Sequence, residues 1–156
     1  MGVAGSGKSF IGRMLAAELG CRFVDADDYH SRGSIMKMRR GVPLEDADRE
    51  PWLESLRRVV ARAIDRREHL VVACSALKER YREVLSAGFR PVRLVHLVAD
   101  EATLNRRLEL RIDHFAGVAL LGSQLATLEA PADALTVDAT CAPDRIVTVI
   151  RREFGI

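Results

Sequence analysis

Residues 2–9, Gly2-Val3-Ala4-Gly5-Ser6-Gly7-Lys8-Ser9, follow the pattern G-x-x-x-x-G-K-[S/T]. Glycines at this spacing let the backbone aim successive N–H groups into one concavity, and a helix starting there adds the positive end of its dipole. Such a cradle suits the phosphates of ATP. Gly2, Gly5, Ser6 and Gly7 shape it, Lys8 reaches the β- and γ-phosphates, and the Ser9 hydroxyl ligates a magnesium ion. The chemistry that follows is phosphoryl transfer.

Two carboxylates come next. Asp25 and Asp27 stand at the carboxyl end of a predicted strand, where ligands collect in open parallel sheets. Alternate strand residues point to opposite faces, so the chain must turn here for both to serve one site. One carboxylate then belongs to the magnesium shell and the other to the acceptor hydroxyl, while Asp28 reads as part of a helix-capping turn. Arg107 and Arg111 lie four apart on one helix face. Both are candidate ATP contacts that close over the transferring phosphate, with Arg111 joining Lys8 and Asp27 as a catalytic candidate.

The elements that must hold these groups alternate between two periodicities. Ile11, Met14, Leu15 and Leu19 mark a first helix, stopped by Gly20; Cys21–Val24 is a short strand; residues 29–50 are loops and short helical pieces. Pro51 is expected in the first turn of a helix running to about Arg67, where its missing N–H costs nothing. Leu70–Cys74 and Val92–Val98 read as strands buried on both faces, separated by a helix over 77–86. Asp100 caps the arginine-bearing helix, residues 112–123 form a lid, Leu135–Asp138 is a last strand and Pro143 opens a final helix. Strands alternating with helices predict an α/β fold of three layers, a parallel sheet covered on both faces, as one domain over 1–156. The strand that should lead into the cradle is represented only by Met1, so the central strand is expected to be truncated.

The composition narrows the function classes. A chain of 156 residues has the length of one domain, and 48% apolar residues can build its core. A net charge of +2 with only 5% aromatics argues against a nucleic-acid or membrane partner. Cys21, Cys74 and Cys141 are widely spaced without a CxxC pair, which excludes a simple disulfide framework and fits a cytoplasmic protein.

The cradle, Phe23-Val24-Asp25-Ala26-Asp27-Asp28-Tyr29-His30, Asp48-Arg49-Glu50-Pro51-Trp52-Leu53 and Cys74-Ser75-Ala76-Leu77-Lys78 together resemble the gluconate kinase (gluconokinase) family. The likeness runs in order through Lys37-Met38, Gly41-Val42-Pro43-Leu44, Tyr81-Arg82, His114-Phe115 and Ser123-Gln124, covering roughly 2–131. It implies ATP-dependent phosphorylation of D-gluconate to 6-phospho-D-gluconate on a P-loop kinase fold of five parallel strands with a lid, often as a homodimer. It further implies that Asp25 helps position magnesium and that Asp27 orients or deprotonates the sugar hydroxyl. His30, Lys37, Arg49, Lys78 and Arg82 fall in the matched blocks as candidate substrate-binding residues. Arg49 and Arg82 are the preferred partners of the acceptor's carboxylate, because a guanidinium fork makes two parallel hydrogen bonds to one. Trp52, Leu53, Cys74 and His96 are expected in the core.

Four departures stand out: Ala26 replaces a usual Gly, Ser31 a Pro, Ser34 an Asn, and Ile112-Asp113 a Lys-Gly. Two rival readings stay open on the residues: a kinase for another small acceptor such as shikimate or a nucleoside monophosphate, and a nucleotide-binding but catalytically silent, truncated homologue.

Overall fold

The structure, a computed structural model, describes residues 1–86, 92–110 and 114–156, with the backbone alone for 114–119. Helix α1 (Lys8–Glu18) leads from the cradle to strand β1 (Arg22–Asp25) and a 3-10 turn over Ala26–Tyr29. Helices α2 (Arg32–Arg39) and α3 (Asp46–Asp65) precede β2 (Leu70–Ala73) and α4 (Glu79–Ser86). Then follow β3 (Val95–Val98), α5 (Glu101–Glu109), α6 (His114–Thr127), β4 (Leu135–Asp138) and α7 (Pro143–Phe154).

Among the described residues the strands form two parallel pairs. β1 runs beside β2 with Arg22 opposite Leu70, and β3 beside β4 with Val95 opposite Leu135. Met1 supplies what the sequence provides of a strand leading into the cradle. Its carbonyl accepts from the Leu97 N–H at 2.9 Å and its amine donates to the Val95 carbonyl, extending the second pair by one residue. The expected parallel strands are therefore present among the described residues as two separate pairs, the second extended by this stub.

Two cores lie on opposite faces. Val24, Ala26, Trp52, Leu53, Leu56, Cys74 and Tyr81 join the first strand pair to α3 and α4. Ile11, Leu15, Leu97, Val137, Ile146 and Ile150 join the second pair to α1 and α7. This is the three-layer α/β arrangement. A third cluster, Val3, Leu77, Leu104, Leu108 and Leu121, seats α5 and α6 against the cradle. Trp52, Leu53, Cys74 and His96 are all buried, as expected.

Some expectations shift. Pro51 is not in a first turn: α3 begins five residues earlier, and Pro51 lies inside it. The reason is a capping box in which the Glu45 side chain accepts from the Asp48 N–H while Asp48 accepts from the Glu45 N–H at 2.9 Å. Two satisfied donors at that end outweigh the one bond Pro51 cannot make. The helix expected over 77–86 starts at Glu79. Of the lid segment 112–123, residues 114–123 form the first part of continuous helix α6, and 112–113 lie outside the described residues.

Ser31, expected as a departure, caps α2 by accepting from the Ser34 N–H at 3.0 Å, and its hydroxyl meets that of buried Ser34 at 2.9 Å. Serine is a strong N-cap and proline offers no side-chain acceptor, so the change strengthens this helix start.

Leu56, on α3, is fully buried in the core that joins this helix to the first strand pair. Leu56→Ala should cost about 2–5 kcal/mol through lost burial and the cavity left behind, read as a lowered denaturation midpoint. A change below about 1 kcal/mol would mean α3 is not packed as described.

Candidate active site

The cradle has the backbone its glycines were chosen to allow. Gly5 and Gly7 hold φ of 80° and 87°, in the left-handed region. A Cβ on Gly2 would stand 2.6 Å from the Leu97 carbonyl oxygen, and one on Gly5 3.0 Å from that of Leu104, so the loop lies tight on β3 and α5. Lys8 Nζ donates to the Val3 carbonyl at 2.9 Å, curling back over the loop. The Ala4 N–H donates to Gln124 Oε1 at 2.7 Å, which ties α6 to the cradle. Ser6 Oγ is buried with no hydrogen-bond partner among the described residues.

Asp25 ends β1, and its Oδ1 accepts from the Asp27 N–H at 3.2 Å, turning the chain into the 3-10 turn. That turn brings both carboxylates to the site, as the strand alternation required. Ala26 is fully buried with ordinary backbone, so the Gly-to-Ala departure carries no strain. The Asp27 carboxyl is pushed above its ordinary value, chiefly by desolvation; the Lys8 ammonium opposes this and the Asp25 carboxylate adds to it. Lys8, Asp25 and Asp27 therefore interact as one group.

His30 stacks on the Trp52 indole with ring centroids 4.6 Å apart and planes 6° from parallel. Burial holds its pKa below the ordinary value, against the pull of Asp27 and together with Arg49, which favours the neutral ring. The Trp52 Nε1–H donates to the Ala26 carbonyl at 2.7 Å, fastening α3 to the acidic turn.

The remaining candidates divide. Arg49 donates to the Leu44 carbonyl at 2.6 Å and lies 4.0 Å from Asp46, while Lys78 Nζ lies 3.3 Å from the same carboxylate. Lys37 is paired with Asp48 at 2.7 Å. Arg82 stands apart from that group: its Nη1 donates to the Ala76 and Leu77 carbonyls, both at 3.1 Å. It braces a buried turn in which Ala76 takes a left-handed φ of 43°. Arg107 donates to the Ala139 carbonyl at 2.7 Å and to Gly5 at 3.4 Å, linking cradle and post-β4 turn. It lines an open cavity of about 500 Å³ with Gly7, Phe10, Thr140 and Cys141. Arg111 and the altered Ile112-Asp113 pair lie outside the described residues, as does the side chain of His114.

Buried Cys74 has its thiol pushed up to about 12 by desolvation, the state of an inert core residue rather than a nucleophile. Sequence reasoning assigned no role to Asp46 or Tyr81. The spacing of Asp46 to Arg49, three apart on one helix, was the available signal. For magnesium, the Ser9 hydroxyl, next after Lys8 in the cradle, and the Asp25 carboxylate at the end of β1 are hard oxygen donors. They fit an ion that binds through one or two carboxylates plus substrate phosphates.

A glycine cradle opening a helix, a lysine over it and a carboxylate at the next strand end define a P-loop phosphotransferase of the small-molecule kinase kind. Residues 1–131 match the family described as AAA domain. The thermosensitive gluconokinase of Escherichia coli K12 is 44% identical over 131 residues, covering 84% of this chain and 70% of that protein. The gluconokinase of Gluconobacter oxydans 621H is 38% identical over 157 residues, covering 99% and 88%. A solved sugar kinase from Janibacter sp. HTCC2649 superposes with a TM-score of 0.92 at 39% identity, covering 100% of this chain and 92% of that one. The chain belongs to the gluconokinase family of P-loop kinases.

The raised pKa of Asp27 has a consequence for stability. A carboxyl whose folded pKa lies above its unfolded value costs stability once pH exceeds the ordinary range, and costs nothing below it. Asp27→Asn should therefore raise the thermal midpoint at pH 7, with the gain shrinking to zero as pH falls below the ordinary value of 3.8. A midpoint lowered at pH 7 would contradict the assignment.

Proposed function

We propose that this chain transfers the γ-phosphoryl group of ATP to the terminal hydroxyl of D-gluconate, giving 6-phospho-D-gluconate and ADP. The observation that carries the reaction type is the placing of Asp27 within the field of Lys8, on a turn fastened by Trp52 to the helix that carries Arg49. The acceptor follows from the relatives named gluconokinase.

Gly2, Gly5, Ser6 and Gly7 hold the phosphates through backbone N–H groups, and Lys8 bears on the β- and γ-phosphates. Arg107 and the cavity beside it take the rest of the nucleotide, and Arg111 joins Lys8 in neutralising the transferring phosphate. The Ser9 hydroxyl and the Asp25 carboxylate would hold magnesium, which would supply neutralisation of the developing phosphate charge. Asp27 accepts the proton of the acceptor hydroxyl as its oxygen bonds to the γ-phosphorus and the bond to the β-phosphate oxygen breaks, releasing ADP. Its raised pKa suits that task, because a stronger base competes better for the hydroxyl proton. Positioning does most of the work in such transfers. His30 and the cations Lys37, Arg49 and Lys78 receive the polyol and its carboxylate, and Arg82 supports the turn that presents Lys78. The domain works in the cytoplasm over 1–156, as a homodimer, without nucleic acid or membrane.

Lys8→Ala and Asp27→Asn should each lower gluconate-dependent turnover by at least about 10³-fold, and Asp27→Asn should leave ATP affinity within about twofold. Near-normal turnover in Asp27→Asn would remove its role. Arg49→Ala should raise the KM for gluconate at least about tenfold with kcat little changed. An unchanged KM would make Arg49 a purely structural residue.

A further inference from the structure

We propose that Asp46 is a positioning residue for the acceptor, its carboxylate gathering Arg49, Lys78, Arg80 and the Tyr81 hydroxyl into one cationic cluster that receives the acceptor's carboxylate. The proposal rests on the gluconokinase reading above.

Asp46 is the first residue of α3, whereas Lys78, Arg80 and Tyr81 come from the β2–α4 loop and the first turn of α4. One carboxylate thus ties two elements together. Lys78 Nζ lies 3.3 and 3.5 Å from its two oxygens and Arg49 Nη1 lies 4.0 Å away. Arg80 and the Tyr81 hydroxyl both bond to it directly. The same three cations surround the Tyr81 ring, with Arg80, Lys78 and Arg49 at 5.3, 5.6 and 5.7 Å from its centroid.

Three cations gathered this closely repel one another, and a single carboxylate between them relieves that repulsion without neutralising the group. Two positive charges remain over, enough for a second anion. Asp46 is 42% exposed and Lys78 27%, so the cluster is open to a ligand. An ordinary surface ion pair contributes little. Here three donors converge on one acceptor with Arg49 beside them, and Arg49 lies three residues before Trp52, whose ring stacks on His30 and whose indole N–H holds the Ala26 carbonyl of the turn that carries Asp27. The cluster therefore stands on the acceptor side of the group that meets the hydroxyl. That suits a substrate with a carboxylate at one end and a reacting hydroxyl at the other.

The test is steady-state kinetics on the full chain with ATP and gluconate. Asp46→Asn should raise the KM for gluconate at least about tenfold, with kcat and the KM for ATP within about twofold. Asp46→Glu should recover most of the loss, and Asp46→Ser, which keeps a small polar residue at the helix start, should match Asp46→Asn. Glu54→Gln, which breaks only the exposed pairs with Arg57 and Arg58 on the same helix, should change nothing. An unchanged KM for gluconate overturns the proposal, as does a joint loss in kcat and ATP binding, the mark of a structural role. A lowered KM overturns it too, making Asp46 a competitor for the cations. If the unaltered chain does not phosphorylate gluconate, the functional reading falls and this inference with it. If that chain is active and Asp46→Asn is like it, the inference alone falls.

Discussion

The hydrogen bond from the Trp52 indole to the Ala26 carbonyl is the joint on which the site depends. It is buried, and Ala26 is sealed beneath it. On one side of the joint are Asp25 and Asp27, carried by the end of β1; on the other is α3, with Arg49 three residues away. A buried indole N–H without its acceptor would be costly, so the two elements cannot drift apart without breaking the core they share. His30 stacked on the same indole adds a third element to the joint.

The electrostatics follow from that geometry. Lys8 and the two aspartates share one neighbourhood, so the charge of each depends on the others, and desolvation decides for Asp27. Burial likewise decides for His30, lowering its pKa with Arg49 and against Asp27. Lys8 of the cradle and Arg49 of α3 thus both bear on the acidic turn, Lys8 through Asp27 and Arg49 through His30.

The parts legible in the sequence were those fixed by local backbone demands. Gly5 and Gly7 had to be glycine at their φ values, Asp100 had to cap α5, and Pro143 had to open α7. The apolar runs of β2 and β3 announced strands, though the register of Arg22 against Leu70 is a long-range fact that no local pattern states. The start of α3 was misplaced because Pro51 is a strong local signal, while the capping box of Glu45 and Asp48 needs two side chains read together. That the Arg82 guanidinium braces a left-handed Ala76 depends on a turn geometry invisible in composition. The bond between Asp46 and Tyr81 joins residues 35 apart, and only the packing of α3 on α4 brings them together.

The central claim is that one chain holds ATP on its cradle and a polyol carboxylate at the acidic turn. It is tested most directly by ADP release from the purified protein with Mg-ATP and gluconate, shikimate or AMP added singly. The account predicts turnover with gluconate and background rates with the other two. Turnover with shikimate or AMP in preference to gluconate, or none with any acceptor despite bound Mg-ATP, would contradict it.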